Sequence, residues 1–250
     1  MISLVLIGIG CGDVDYLTGQ AVRALSEVDV IFVVDKGPEM ADLVDLRTEI
    51  LRRHRPDGRF RVVEIADPPR ERDASDYEAA VRQWHHRRSV LYEEAILGSL
   101  RVNQVGAFLV WGDPALYDST LRIVDEISQR NPEVVDVVVI PGISSVQVLA
   151  ARHRITLNRI GEAVHITTGR RLAARDVPER GDLVIMLDGD CAFRTIDFDA
   201  WIFWGAYLGT VHELLISGPV GEVGAEIERV RREARALHGW IMDVYLLRRS

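Results

Sequence analysis

Apolar runs separated by helical stretches make up the first half of the chain. Residues 2–9 are rich in Ile, Val and Leu, and residues 30–34, 107–110 and 134–140 repeat that pattern. Such runs are typical of strands covered on both faces, as in a parallel sheet. Residues 61–65 alternate weakly and are predicted as one more strand. The pattern therefore predicts an α/β domain with a mostly parallel five-stranded sheet.

Helical periodicity fills the segments between these strands. Thr18 is a candidate N-cap for the first helix, because its hydroxyl can accept a hydrogen bond from a backbone N–H of the first turn. The stretch that follows has apolar residues at helical spacing. The predicted helices of the first half are residues 19–28, 40–53, 76–100, 119–129 and 146–151.

The pattern changes at about residue 155, where short strands follow one another with turns between them. One helix is expected at residues 221–237, with Val223, Ile227, Val230 and Ala234 facing inward. We therefore predict a second, mixed α+β domain, with domains at residues 1–142 and 143–250. Its predicted strands are residues 162–168, 182–187, 200–207, 212–218 and 240–247.

Turn residues interrupt the apolar runs at three strand ends. They follow the runs that end near Gly8, Val110 and Ile140. Open α/β sheets bind small molecules beyond the carboxyl ends of their strands, where glycine lets a ligand approach the backbone. These three turns are the candidate binding site, although a turn aspartate such as Asp113 could also simply cap its own turn.

Composition limits the partners and the compartment. The formal net charge is −8, which gives no basic surface for nucleic acid. The two cysteines, Cys11 and Cys191, lack disulfide or metal-site spacing and fit a reducing compartment, so a cytoplasmic location is expected. No apolar run is long enough for a membrane span, and residues 1–10 lack the features of a signal peptide.

Two polar clusters do not indicate a functional site by themselves. His85 and His86 are adjacent, so on a helix they point about 100° apart and cannot chelate one metal as an i, i+4 pair can; no metal site is expected. Residues 47–61 contain six arginines. A solvated helix end and loop is the favoured explanation, because charge runs usually face water.

The glycine turn after the first strand also permits a nicotinamide-dependent oxidoreductase. The dinucleotide-binding motif has glycine at the position of Asp13, which argues against it. Asp35, however, is close to the position at which that motif has its ribose-binding acidic residue. A protein that binds a cofactor without catalysis is a third possibility.

The three turns together resemble the tetrapyrrole (corrin/porphyrin) methyltransferases, which use S-adenosylmethionine. The segments are Gly8-Ile9-Gly10-Cys11-Gly12-Asp13 with Leu17-Thr18, Trp111-Gly112-Asp113-Pro114 with Tyr117, and Pro141-Gly142-Ile143-Ser144-Ser145. The resemblance covers the whole chain. It implies two α/β domains, S-adenosylmethionine in the cleft between them, and a homodimer.

The resemblance also implies cofactor contacts in both halves of the chain. Cys11 stands where the family commonly has proline, and Asp188 replaces the usual glycine after Leu187. The cofactor-binding residues carried over by position are Cys11, Trp111, Gly112, Asp113, Leu116, Ser144, Ser145, Leu187 and Gly209.

Finer details resemble the members that methylate a corrin precursor and release acetate, although members acting at another ring carbon are hard to distinguish. Acetate release needs a base to activate water, and Tyr117 and Asp13 are the first candidates by location, with Asp118 third. The resemblance implies that the substrate is a polycarboxylate tetrapyrrole. Arg170 and Arg171 are predicted to bind it, because guanidinium groups pair with carboxylates. Arg52, Arg53 and Arg55 are a second choice for the same contacts.

Overall fold

The computed structural model describes residues 1–35, 41–68 and 77–249, without the side chains of residues 35, 41–45 and 77–82. The side chain of Asp35 and the predicted start of the second helix at residue 40 therefore lie outside the described residues. By their contacts, Met1–Gly10 and Val14–Ile143 form one compact unit, and Cys11–Asp13 joins the chain from Ser144 onward in a second. The predicted domain boundary stays a prediction.

The first unit is a parallel α/β sheet, as the apolar runs predicted. Its strands hydrogen-bond in the order β3-β2-β4-β1-β5, and every neighbouring pair is parallel. They are β1 (Ile2–Gly8), β2 (Val30–Asp35), β3 (Arg61–Ala66), β4 (Val105–Val110) and β5 (Val135–Ile140). The helices between them are α1 (Gly19–Ser26), α2 (Ala41–His54), α3 (Tyr77–Ser99) and α4 (Thr120–Arg130).

Strand β1 lies inside this sheet and is covered on both faces. Leu4 and Leu6 pack into one hydrophobic cluster, and Val5 and Ile7 pack into a second. Successive side chains of a strand point to opposite faces, so an uninterrupted apolar run is what two covered faces require. The first helix begins as predicted, since Thr18 Oγ1 accepts the Ala21 N–H at 3.1 Å.

Arg55 corrects the interpretation of the arginine-rich stretch. Its side chain is only 6% exposed, and Nη1 donates to the carbonyl oxygens of Leu25 and Val28. A guanidinium used in this way ties α2 to the end of α1, so Arg55 is neither a solvated residue nor a substrate contact. Arg52 and Arg53 form ion pairs with neighbouring carboxylates at the surface.

The second unit contains a mixed five-stranded sheet, as expected. Its order is β6-β7-β10-β8-β9, in which β6 and β7 are parallel and the other pairs are antiparallel. The strands are β6 (Val164–Thr168), β7 (Asp182–Met186), β8 (Ala200–Ala206), β9 (Leu214–Pro219) and β10 (Asp243–Arg249). The helices are α5 (Ser145–His153), α6 (Gly169–Ala173) and α7 (Val220–His238).

Helix α7 packs on one face of this sheet. Ile227 and Ala234 are buried there, and Val223 and Val230 are partly buried against the same cluster. The predicted inward positions are therefore correct. The apolar periodicity missed Arg231, which is buried on α7 as well.

Two kinds of feature are absent from the described ranges. None of their helices has the length and apolar character needed to cross a membrane. They also contain no group of three or more His, Cys, Asp or Glu side chains placed to hold a metal ion.

Candidate functional site

Backbone from three strand ends meets at glycines in the first unit. Because β1 lies between β4 and β5, the turns that follow these strands reach the same edge of the sheet. Gly112 N donates to Gly10 O at 2.8 Å, and Gly10 N donates back to Gly112 O at 3.2 Å. A Cβ on Gly142 would lie 2.8 Å from the carbonyl carbon of Gly8 and closer still to Gly112 O. Only residues without a side chain permit this approach.

Asp113 joins two of these turns through its carboxylate. Oδ2 accepts the Gly142 N–H at 2.9 Å, and Oδ1 accepts the Ala115 N–H at 2.8 Å. Side-chain bonds of this kind replace backbone pairing where a strand ends. Asp113 therefore caps its own turn, and its predicted contact with a cofactor stays a prediction.

Tyr117 has an unusual backbone conformation. Its φ is +50°, and its side chain is 44% exposed. A left-handed tyrosine costs about 1 kcal/mol or more, and such strain is concentrated at functional sites. The neighbouring Asp118 accepts the Thr120 N–H at 2.6 Å and so caps the start of α4. The turn thus exposes Tyr117, while Asp118 caps α4.

A buried arginine that was not predicted anchors the same segment. Arg88 of α3 is 2% exposed, and it donates to Ser119 Oγ at 2.6 Å and to Tyr92 Oη at 2.9 Å. Its Nε lies 2.8 Å from Asp67 Oδ1 as an ion pair. Burial raises the pKa of Tyr92 to about 12, against the opposing effect of the Arg88 charge, so Tyr92 stays protonated. The signal in the sequence was an arginine at helical spacing from buried residues.

In the second unit, Gly12 packs closely against the turn after β8. A Cβ on Gly12 would lie 2.9 Å from Thr210 Cγ2 and closer still to the carbonyl oxygen of Leu208. Its φ is +91°, a conformation that glycine adopts without strain. The turn therefore brings together Cys11 and Gly209, two predicted cofactor contacts that are far apart in sequence, and half-buried Asp13 follows directly.

Glu213 organises the polar contacts of this turn. It accepts the Gly209 N–H at 2.8 Å and the Arg152 Nε–H at 3.0 Å. The N–H of Gly209 is therefore already bonded within the protein. Burial raises the pKa of the Cys11 thiol to about 12, and a backbone hydrogen bond lowers it only in part. A neutral buried thiol is a packing residue rather than a nucleophile.

Ser144 and Ser145 begin α5. Ser144 is buried, its Oγ accepts the Val146 N–H at 3.2 Å, and it donates to the side chain of Gln147. This is a capping box, in which both side chains satisfy the free N–H groups of the helix start. Ser144 is thus a cap in the structure, while Ser145 is half-buried in the first turn. Their cofactor contacts stay predictions.

Leu187 combines exposure with left-handed backbone at the end of β7. Its side chain is 63% exposed and its φ is +54°. A large apolar side chain held outward in a strained conformation is a feature of ligand sites. Its predicted contact with the cofactor stays a prediction.

Arg170 and Arg171 follow the end of β6, as predicted, and lie in a short helix that begins there. They belong to α6, a short helix that the periodicity did not predict, and both are exposed. Arg171 pairs with Asp176 at 2.9 Å, and both members of this pair are exposed. A surface pair of this kind is weak and can yield to a stronger anion.

The turns described above fix the path of the backbone. Their polar side chains either cap a turn or a helix, or are exposed. Among the described residues, the positions predicted for the site include glycines, hydroxyls and carboxylates bonded to backbone amides, without a paired nucleophile and base. Such a site can bind and orient a reactive small molecule whose own chemistry drives the reaction.

The chain belongs to the tetrapyrrole (corrin/porphyrin) methylases, whose family model matches residues 3–223. A precorrin-6A synthase [deacetylating] from Sinorhizobium sp is 45% identical over 252 residues, covering 100% of this chain and 96% of the relative. The family predicted from the three turns is therefore confirmed, and the nicotinamide-dependent alternative is set aside.

Solved structures agree with this assignment. A putative cobalamin synthesis related protein from Corynebacterium diphtheriae has a TM-score of 0.84 at 40% identity, with 100% of this chain and 99% of that chain covered. Uroporphyrin-III-C-methyltransferase from Thermus thermophilus, at 18% identity and a TM-score of 0.60, covers 99% of this chain and 92% of that one and has the same fold.

Proposed function

We propose that this protein is an S-adenosylmethionine-dependent C-methyltransferase of cobalamin biosynthesis. Its reaction methylates precorrin-5 at ring carbon 1 and releases acetate, giving precorrin-6A. The observation that carries the proposal is the 45% identity to a precorrin-6A synthase [deacetylating] along the whole chain. The 40% identical structural neighbour, described as related to cobalamin synthesis, supports the same pathway.

Some of the proposed cofactor contacts lie on the strand-end turns of the first unit, and others lie on turns of the second. Gly142 lets the strand-end turns lie close together, and exposed Leu187 offers a ligand apolar contact. The proposed contacts are Cys11, Trp111, Gly112, Asp113, Leu116, Ser144, Ser145, Leu187 and Gly209.

S-adenosylmethionine supplies a methyl group that is activated by the positive charge on its sulfur. The task of the protein is then to hold a ring carbon in line with that methyl, and orientation alone accounts for much of such a rate. Residues that fix backbone, including Asp113 and the capping Ser144, are suited to this task. The buried neutral thiol of Cys11 has no covalent step to perform.

Acetate release requires water to add to the acyl carbonyl before the carbon–carbon bond to the ring breaks. A base must take a proton from that water, and we propose Tyr117 or Asp13 for this role. Both follow strand ends, and the exposed, left-handed Tyr117 is presented by its turn. General bases of this kind contribute about 10²- to 10⁴-fold to a rate.

We expect Tyr117→Phe to slow acetate release by about 100-fold if Tyr117 is the base, with unchanged affinity for S-adenosylmethionine. Acetate and methylated corrinoid are measured in the same single-turnover reaction. Asp13→Asn is the matched comparison, because only the variant of the true base should lose acetate release. Normal release by both variants would remove both residues from the catalytic assignment.

Arg170 and Arg171 are proposed to bind the carboxylates of the substrate. We expect Arg170→Glu with Arg171→Glu to raise the KM for precorrin-5 by at least about 10-fold, because each reversal replaces a charge-assisted contact by repulsion. The Kd for S-adenosylmethionine should stay the same. Arg229→Glu is the control, since Arg229 is an exposed arginine paired with Glu233 on α7. Equal losses of cofactor and substrate binding would indicate a structural patch instead.

A panel of precorrins tests the position of methylation. With precorrin-5 the protein should give a product that has gained one methyl group and lost the acyl group. Methylation of a different precorrin without acetate would instead identify a relative that acts at another ring carbon.

We also propose that the protein works in the cytoplasm and that it is a homodimer. Sedimentation analysis would test the homodimer.

A further inference from the structure

The turn after β7 holds two left-handed residues close together. Leu187 has a φ of +54° and Cys191 has a φ of +56°. Between them lies Asp188, which is 5% exposed. Two non-glycine residues in this conformation need an external constraint, because each costs on the order of 1 kcal/mol or more.

The carboxylate of Asp188 supplies part of that constraint. Oδ1 accepts the Asp190 N–H at 3.0 Å, and Oδ2 accepts the Ala192 N–H at 2.7 Å. Oδ2 also accepts the hydroxyl of Tyr245, from β10, at 2.6 Å. Burial, reinforced by the Asp188 charge, raises the pKa of Tyr245, so this hydroxyl remains a donor at physiological pH.

Arg231 of α7 holds the same turn through its backbone. Nη2 donates to the carbonyl oxygen of Asp188 at 2.6 Å, and Nη1 donates to that of Gly189 at 3.1 Å. Its Nε is 3.0 Å from Asp243 Oδ2, which also accepts the indole N–H of Trp204 at 2.9 Å. The turn is therefore fixed from both β10 and α7.

The fixed carboxylate also touches the start of α6. Gly169 is buried, and a Cβ at this position would lie 2.5 Å from both Cγ and Oδ1 of Asp188. A flexible side chain could move aside, but this one is held by three hydrogen bonds. Gly169 is followed directly by Arg170 and Arg171.

We propose that Asp188 is a positioning residue that holds the Leu187 turn and the start of α6 in one arrangement. Binding of the cofactor at Leu187 and of substrate carboxylates at Arg170 and Arg171 then depends on the same buried carboxylate. This inference rests on the proposed function for its ligands. The positioning itself is a property of the second unit alone.

Single substitutions test the hydrogen bonds. Asp188→Asn keeps the shape of the side chain but replaces one oxygen by an NH₂ group, a donor that faces a backbone N–H. Tyr245→Phe removes the hydroxyl that donates to Asp188. We expect Asp188→Asn to raise both the Kd for S-adenosylmethionine and the KM for precorrin-5 by about 10-fold, and Tyr245→Phe to raise both less. With both ligands saturating, kcat should change little, because the reacting groups are intact. Unchanged Kd and KM in both variants would overturn the proposal.

A rescue experiment tests the contact with Gly169. Gly169→Ala should raise the same Kd and KM, because the added methyl meets the fixed carboxylate. In an Asp188→Gly background that carboxylate is absent, so Gly169→Ala should cause little further loss. Gly221→Ala is the matched control, since its Cβ would meet nothing within 4 Å. Independent, additive losses from the two substitutions would contradict the proposed contact.

A third measurement separates this inference from the proposed function. Hydrogen exchange at the amides of Asp190 and Ala192 needs no ligand, and Asp188→Asn should speed it while exchange in β8 stays as in the parent protein. If the parent protein fails to bind S-adenosylmethionine, the proposed function fails, and the exchange result still decides the positioning. Unchanged exchange at both amides would overturn it.

Discussion

Gly142→Ala is expected to destabilise the protein by about 3 kcal/mol or more and to abolish measurable binding of S-adenosylmethionine. The new Cβ would lie 2.9 Å from Gly8 Cα and 2.8 Å from its carbonyl carbon, and closer still to Gly112 O. All of these are backbone atoms of neighbouring strand ends, which cannot rotate away. Overpacking usually costs about 1–3 kcal/mol, and a backbone collision falls at the upper end of that range or above it.

The measurement for Gly142→Ala is chemical unfolding together with calorimetric titration of the cofactor. Gly98→Ala is the matched control, because a Cβ on Gly98, in the last turn of α3, meets nothing within 4 Å. It should be neutral or stabilising by up to about 1 kcal/mol. If Gly142→Ala behaved like this control, the close approach of the three turns would be disproved.

Asp113→Ala is expected to weaken cofactor binding by at least about 10-fold and to lower the free energy of unfolding by about 2 kcal/mol. The substitution leaves the Gly142 and Ala115 N–H groups without the carboxylate that accepts them at 2.9 and 2.8 Å. Hydrogen bonds to a charged group contribute about 1.5–3 kcal/mol. Because one of these bonds joins the ends of β4 and β5, its loss should disturb the turn that carries Trp111 and Leu116.

Asp136→Ala provides the comparison for Asp113→Ala. Asp136 lies on β5 and is exposed, so its loss should change neither unfolding nor cofactor affinity measurably. Titration of both variants with S-adenosylmethionine gives the decisive values. A cofactor Kd that is the same for Asp113→Ala and the parent protein would show that the Asp113 turn has no part in binding.

Much of the fold followed from local pattern. The apolar run of β1 predicted a doubly covered parallel strand because side chains alternate between faces, and both faces are indeed filled. The N-cap at Thr18 was predictable because capping is local chemistry. The inward face of α7 was predicted because its apolar residues recur at helical spacing.

Contacts between distant parts of the chain could not be predicted in this way. Arg55 looked like one of several surface arginines, but three-dimensional packing buries it against backbone carbonyls. Arg231 interrupts an apolar helix face because its partners lie on the β7 turn and β10, which the local sequence does not reveal. Helix α6 was missed because five residues are too short for a periodic signal.

The candidate site divides in the same way. The sequence revealed the glycine-rich turns because glycine and proline interrupt apolar runs. The structure brings these turns to one edge because β1 lies between β4 and β5 in the sheet. The side chains within them were harder to interpret. Asp113, Asp118 and Ser144 all accept backbone N–H groups, a capping role that polar turn residues have with or without a ligand.

Methyl transfer and acetate release are proposed to occur together on one corrin precursor. The most direct measurement incubates the purified protein with precorrin-5 and methyl-labelled S-adenosylmethionine, and quantifies labelled corrinoid and free acetate. The proposed reaction predicts label in the corrinoid and one acetate for each methyl transferred. A labelled corrinoid without acetate, or no labelled corrinoid at all, would contradict it.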